Sequence, residues 1–206
     1  MLKLVVYLFQ IDYRLMKRVV IIILLIFNTF IAASQPHPFH FSTISTADGL
    51  SQSDVTAIVQ DNTGFMWFAT NNGLTRYDGN RFAIYKADHK NPGSISCNTI
   101  FALTSDETML WIGSREGVDR YDTLLDKFSH YNRGIDQAGD TVALTRVMDI
   151  LVCKNTVWVA AAQGLFHYDW ERQVFRMHHS EILQGREMLC LTSDRYGRLF
   201  IGTNRG

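Results

Sequence analysis

The chain has no surplus of either charge. Its 206 residues hold 20 Lys and Arg against 20 Asp and Glu. Without a basic stripe there is little to hold a phosphate backbone, so direct contact with nucleic acid is not expected. Cysteine is scarce. Cys97, Cys153 and Cys190 are odd in number and widely spaced, which excludes a disulfide framework and a cysteine metal site. They are expected to be small buried hydrophobes. Catalytic signatures are missing as well. There is no Gly-x-Ser-x-Gly, no phosphate loop, no dinucleotide fingerprint and no histidine-kinase motif. His178-His179 comes without His-x-x-x-His or paired cysteine spacing, so no metal and no cofactor are expected. Asp61-Asn62-Thr63-Gly64 begins like a calcium loop, but a strand and a turn ending at Asn72 replace the remaining ligands, so it reads as a turn.

Apolar residues make up 47% of the chain, enough for a core. Their longest run, Val19 to Ala33, is shorter than the roughly 20 residues of a membrane span. Lys17 and Arg18 precede it, and Ser34-Gln35-Pro36 follow. This is the pattern of a secretory signal peptide, with Ala32 and Ser34 at the −3 and −1 cleavage positions. Translation is expected to begin at Met16, with a longer leader or an uncleaved anchor as the alternative. Residues from about Gln35 onward are expected outside the cytoplasmic membrane.

The dominant signal is a repeat. VTAIVQDNTGFMWFATNNGLTRYDGNRFAIYK from Val55 aligns with IFALTSDETMLWIGSREGVDRYDTLLDKFSHY from Ile100. It also aligns with VMDILVCKNTVWVAAAQGLFHYDWERQVFRMH from Val147 and MLCLTSDRYGRLFIGTNRG from Met188. Trp67, Trp111, Trp158 and Phe200 are spaced by 44, 47 and 42 residues, and Gly73, Gly117, Gly164 and Gly206 keep the same intervals. Tyr77-Asp78, Tyr121-Asp122 and Tyr168-Asp169 keep step too. A period in this range means stacked structural units.

Each unit reads as four strands. In the first, Val55, Ala57 and Val59 alternate with Thr56, Ile58 and Gln60. Turn residues Asp61 to Gly64 lead to an aromatic-rich strand, Phe65 to Thr70. Asn71-Asn72-Gly73 turns the chain into Leu74 to Tyr77, and Asp78-Gly79-Asn80 into Phe82 to Tyr85. Four antiparallel strands and a linker make one blade of an all-β propeller. The expected organisation is a leader (1–34), a lead-in (35–54), blades over 55–96, 97–143 and 144–185, and part of a fourth over 186–206. The recurring Trp, Gly, Tyr and Asp are structural: Trp fills the space between blades, Gly reverses the chain, Tyr joins the core and Asp caps the next turn.

The pattern D-x-x-G-x-x-W-x-x-T/S-x-x-G-L/V-x-R-Y-D resembles the two-component-regulator propeller repeat, over about residues 39–206. Phe41 to Ile44 and Asp48 to Val55 resemble that family's opening. Ala69 and Ala160 stand where the family has Gly, and His167 where it has Arg. The resemblance implies the periplasmic sensor half of a hybrid two-component system of Bacteroidetes type, here a fragment. Such sensors carry two propellers, a β-sandwich, a membrane helix, a histidine kinase, a receiver and a helix-turn-helix domain, and can be homodimers. Their ligands are oligosaccharides, and they switch on polysaccharide-utilisation genes. The partners implied are thus an oligosaccharide and the remaining blades and downstream domains.

In a propeller the loops between strands two and three share a face with the linkers between blades, and that face is the usual binding surface. It would present Asn71, Asn72, Arg115, Glu116 and Gln163 from the loops, and Asp88, His89, Asn98 and Arg146 from the linkers. Amide, guanidinium and carboxylate groups suit sugar hydroxyls. A secreted propeller enzyme, such as a lyase or glycosidase, would need paired carboxylates in the central channel. Asp54 and Asp149 are the acidic residues near inner strands, and they lie in different blades. A protein-binding scaffold is the third alternative.

Overall fold

The structure, a computed structural model, describes residues 15–23, 40–183 and 185–205. The expected cleavage positions Ala32 and Ser34 and the last repeat glycine, Gly206, lie outside these residues. The chain divides into a unit up to Thr43 and a unit from Ile44 onward. In the first, residues 15–23 are helical. No helix among the described residues is long and apolar enough to cross a membrane.

The second unit is a row of propeller blades whose ring is not closed. Blade 1 is β1 (Val55–Gln60), β2 (Met66–Thr70), β3 (Gly73–Tyr77) and β4 (Phe82–Tyr85), paired antiparallel in chain order. Blade 2 repeats this with β5 (Ile100–Ser105), β6 (Met109–Ser114), β7 (Val118–Asp122) and β8 (Lys127–Tyr131). Its linker then forms a hairpin, β9 (Arg133–Ile135) and β10 (Thr141–Ala143). Blade 3 is β11 (Val147–Cys153), β12 (Thr156–Ala161), β13 (Gly164–Asp169) and β14 (Val174–Met177). The β9 strand pairs parallel with β14, which makes this sheet six-stranded and covers its outer edge. β15 (Met188–Ser193) and β16 (Leu199–Thr203) begin blade 4.

Register confirms the repeat residue by residue. Trp67 pairs with Val59, Trp111 with Thr104, Trp158 with Leu151 and Phe200 with Thr192, the same position in every first strand. All four first strands carry a register shift near their start, a bulge that bends the inner strand. Adjacent inner strands are joined by side chains: Thr56 donates to the Ile100 carbonyl (2.8 Å) and Ser105 to the Gln60 carbonyl (3.2 Å).

The core lies between blades. Trp67 and Trp111 are fully buried. Trp67 packs edge-on against Tyr121 of the next blade, 5.2 Å between centroids, and Trp111 does the same with Tyr168 at 5.0 Å. Such a Trp withdraws roughly 200 Å² from water, about 4–5 kcal/mol. Arg76 lies over Phe65 and Trp67, and Arg120 donates to the Tyr168 hydroxyl (3.1 Å). His167 takes that place in blade 3, against Trp158.

The remaining repeated residues hold turns. Asp78, Asp122 and Asp169 each accept two backbone N–H bonds from the turn that follows. Gly73 (φ 107°) lies so close to the chain returning from β4 that a Cβ there would sit 2.6 Å from the Tyr85 carbonyl oxygen. Gly113 admits Val147 of the next inner strand against its backbone, a contact that a methyl group would close. The cysteines depart from expectation: Cys97 is buried, Cys153 half-buried and Cys190 exposed. Cys190 sits just after the β15 bulge, on an inner strand with no further blade beside it among the described residues.

Candidate functional site

The β2–β3, β6–β7 and β12–β13 turns do share a face with the linkers, and the backbone shows how. The Gly73 N–H donates to Asn98 O (2.8 Å), Arg115 to Thr99 O (3.1 Å), Arg146 to Arg115 O (2.9 Å) and Ala162 to Thr145 O (3.3 Å). Each of the first two linkers therefore crosses the turns of the two blades it joins. Loop residues far apart in sequence are brought together by this crossing.

The nine candidate positions divide by what their side chains do. Asn72 donates to the Ser51 carbonyl (3.2 Å) and accepts from the Lys86 ammonium, tying the lead-in to β4. Asn98 accepts the Ala87 N–H (2.8 Å). Gln163 accepts the Thr145 N–H (3.1 Å) and donates to its hydroxyl (2.8 Å). Asp88 caps its own loop through the Lys90 N–H (2.9 Å). Those four are engaged in holding the face together. Asn71, His89, Arg115, Glu116 and Arg146 are exposed and make no side-chain hydrogen bond or ion pair with a described residue. Arg115, Glu116 and Arg146 stand side by side, and Arg146 holds a left-handed backbone (φ 50°).

One pair on this face escaped the sequence reading. Asp119, only 1% exposed, accepts the Ser96 N–H (2.8 Å) with one oxygen and faces His130 Nδ1 (2.8 Å) with the other. His130 Nε2 faces the Pro92 carbonyl (3.0 Å). Two acceptors against two ring nitrogens are both satisfied only by the imidazolium. The Asp119 hydrogen bond raises the His130 pKa above its ordinary 6.5, against the effect of burial, with help from the Pro92 carbonyl and the Asp119 charge. His130 thus pins the linker that carries Asp88, His89 and Asn98.

Of the two acidic residues near the inner strands, Asp149 is committed to the joint between blades 3 and 4. Asp149 spends one oxygen on the Ile150 N–H (2.9 Å) and the other on the Leu191 N–H of the next inner strand (2.7 Å). Asp54 is exposed. Among the described residues no group of three or more His, Cys, Asp or Glu is arranged to hold a metal.

Four-stranded blades stacked through their second strands, with linkers laid over one face, define a propeller. The particular kind follows from comparison. Residues 49–72 match the family model for the two component regulator propeller. The chain is 39% identical over 75 residues to a protein named histidine kinase P4 from Formosa agariphila, covering 36% of this chain and 6% of that one. Among solved structures, the extracellular domain of a hybrid two component system from B. thetaiotaomicron superposes with a TM-score of 0.69 at 26% identity, over 80% of this chain and 24% of that one. Virginiamycin B lyase from Staphylococcus aureus, at 12% identity, TM-score 0.55 and 74% and 50% coverage, shares the fold alone. Residues 49–72 thus match the two component regulator propeller repeat, and over most of its length the chain is similar to the extracellular domain of a hybrid two component system. It spans a small part of those relatives.

Proposed function

We propose that this chain is the ligand-sensing region of a periplasmic sensor whose parent is a hybrid histidine kinase, and that its ligand is an oligosaccharide. The carrying observation is the linker-over-turn face, where Asn71, His89, Arg115, Glu116 and Arg146 are held in place by neighbours yet left without partners of their own. Amide, imidazole, guanidinium and carboxylate groups together suit a polyhydroxylated ligand. Signalling requires that the ligand bind two arrangements of the sensor unequally, because only differential affinity shifts a population. The enzyme alternative is weaker, since Asp149 is committed to the inter-blade joint.

Calorimetric titration of the chain with an oligosaccharide panel, with product analysis in parallel, tests the proposal. Saturable binding without turnover is expected. Turnover would favour the enzyme, and absence of both the scaffold. Reading the gene beyond codon 206 is the complementary check: a membrane span and a kinase are expected there.

A further inference from the structure

The joint between blades 2 and 3 is built differently from the one before it, on the face opposite the linkers. Blade 1 joins β1 to β2 through five residues, Asp61 to Phe65, and its Asn62 reaches the Asp106 carbonyl of blade 2 (3.4 Å). Blade 3 joins β11 to β12 through Lys154 and Asn155 alone, both in the left-handed region (φ 48° and 62°). Between this turn and blade 2 lies a groove of about 450 Å³ lined by Glu107, Thr108, Met109, Val152, Asn155 and Trp170, beside Asp106.

Trp170 is the second irregularity. The residue after the repeated Tyr-Asp is Gly79 in blade 1, Thr123 in blade 2 and a tryptophan only in blade 3. It is 46% exposed, unusual for so large a ring. Its orientation is fixed: the indole N–H donates to the Asn155 carbonyl (2.9 Å), and the ring stands edge-on to Tyr168 and Trp111, centroids at 4.9 and 6.0 Å. A fixed aromatic ring, nearly half of it exposed, thus lines the groove. Met109 and Val152 supply apolar lining. Glu107 is exposed and its carboxylate has no partner among the described residues. No Lys or Arg lines the groove.

We propose that this groove is a second ligand site, taking a non-acidic saccharide ring stacked on Trp170 with its hydroxyls donated to Glu107. An indole face with an adjacent unpaired carboxylate matches a sugar, apolar on its C–H face and polar at its edge. The same negative charge repels uronates and sulfated sugars. The proposal rests on the saccharide reading above and adds a place and a charge preference to it.

Cellotetraose, the glucosamine tetramer and tetragalacturonate are the probes, titrated calorimetrically into the full chain. The first or second is expected to bind and the third is not. Trp170→Ala is expected to weaken binding at least tenfold. Glu107→Gln, at a side chain that bonds to nothing in the fold, is expected to weaken it several-fold, while Glu171→Gln, the same charge change on the neighbouring turn, leaves it unchanged. The indole N–H signal of Trp170 in a proton–nitrogen spectrum is expected to shift on binding. Binding that survives both groove variants but is lost in Arg115→Ala/Arg146→Ala overturns the groove and leaves the sensor reading standing. A preference for tetragalacturonate overturns the groove as well. If the folded chain binds none of the three, the groove and the saccharide reading fall together.

Discussion

Blades 1 and 2 treat their tryptophan in one way, blades 3 and 4 in another. In blade 1, buried Asp61 accepts the Trp67 indole N–H (2.7 Å) while its other oxygen takes the Thr63 and Phe65 N–H groups. Asp106 repeats this in blade 2, with the Trp111 N–H at 3.0 Å and the Thr108 and Met109 N–H groups. One carboxylate shapes the turn and satisfies the buried indole. Blade 3 keeps the tryptophan but has no Asp in its two-residue turn, and Trp158 is only half-buried. Blade 4 keeps Asp194 but replaces the tryptophan with Phe200, 51% exposed, and the freed oxygen pairs with Arg198 (2.6 Å). The aspartate and the indole work as a unit. Trp67 and Trp111 each pack against the third-strand tyrosine of the following blade, and among the described residues blade 4 has no third strand to offer Trp158.

The joint with blade 4, which has two strands among the described residues, holds a smaller cluster. The blade 2–3 cluster includes Trp111, Val118, Val147, Phe166, Tyr168 and Phe175, whereas the cluster with blade 4 shrinks to Ala160, Leu165, Met188 and Leu191. The largest expected effect of any substitution is therefore at Trp111. Trp111→Ala should cost about 3–5 kcal/mol in denaturant unfolding, and Trp158→Ala at most half of that. Equal losses would break the contrast. Next comes the aspartate. Asp61→Asn should cost about 2 kcal/mol, because a buried charged acceptor of four bonds is weakened, while Asp194→Asn, at an exposed ion pair, should leave stability close to that of wild type.

The Asp61 contribution should also vanish with acid. Burial pushes its pKa up, but the bonds from Thr63, Trp67 and Phe65 outweigh burial and hold it below the ordinary 3.8. Its stabilisation is thus present above that value and lost as pH falls through the lower folded value. An acid-unfolding curve of Asp61→Asn should lack that limb. The smallest effect is local. His130 has a raised pKa, so its tether to Pro92 is complete below pH 6.5 and is lost as pH rises through the folded value. Amide exchange over residues 88–94 should quicken across that rise in wild type and show no such step in His130→Gln.

The repeat was legible because Trp, Gly and Tyr-Asp recur at nearly fixed intervals, and each lands where the blade geometry requires it. The Asp–Trp unit was present in the sequence as well, five or six residues apart, but Asp61 read as turn chemistry alone. Asking what a buried indole N–H pairs with would have exposed it. The β9–β10 hairpin hid in a stretch read as linker, since a parallel pairing with β14 leaves no local pattern. Asp119 and His130 meet only through the β7–β8 register, which side-chain periodicity does not report. Among the nine loop positions, the sequence supplied polarity but could not separate Gln163, bonded twice to Thr145, from Arg115, whose side chain has no partner among the described residues. The groove beside Trp170 depends on the length of a turn in one blade relative to its neighbour, a difference that appears only when both are folded.

Hydrogen exchange measured strand by strand on the folded chain tests the central claim most directly, that each second-strand aromatic is protected by the strands of the blade that follows it. Protection should be highest in β2 and β6, lower in β12 and lowest in β16. Uniform protection across the four, or β16 outlasting β6, would contradict it.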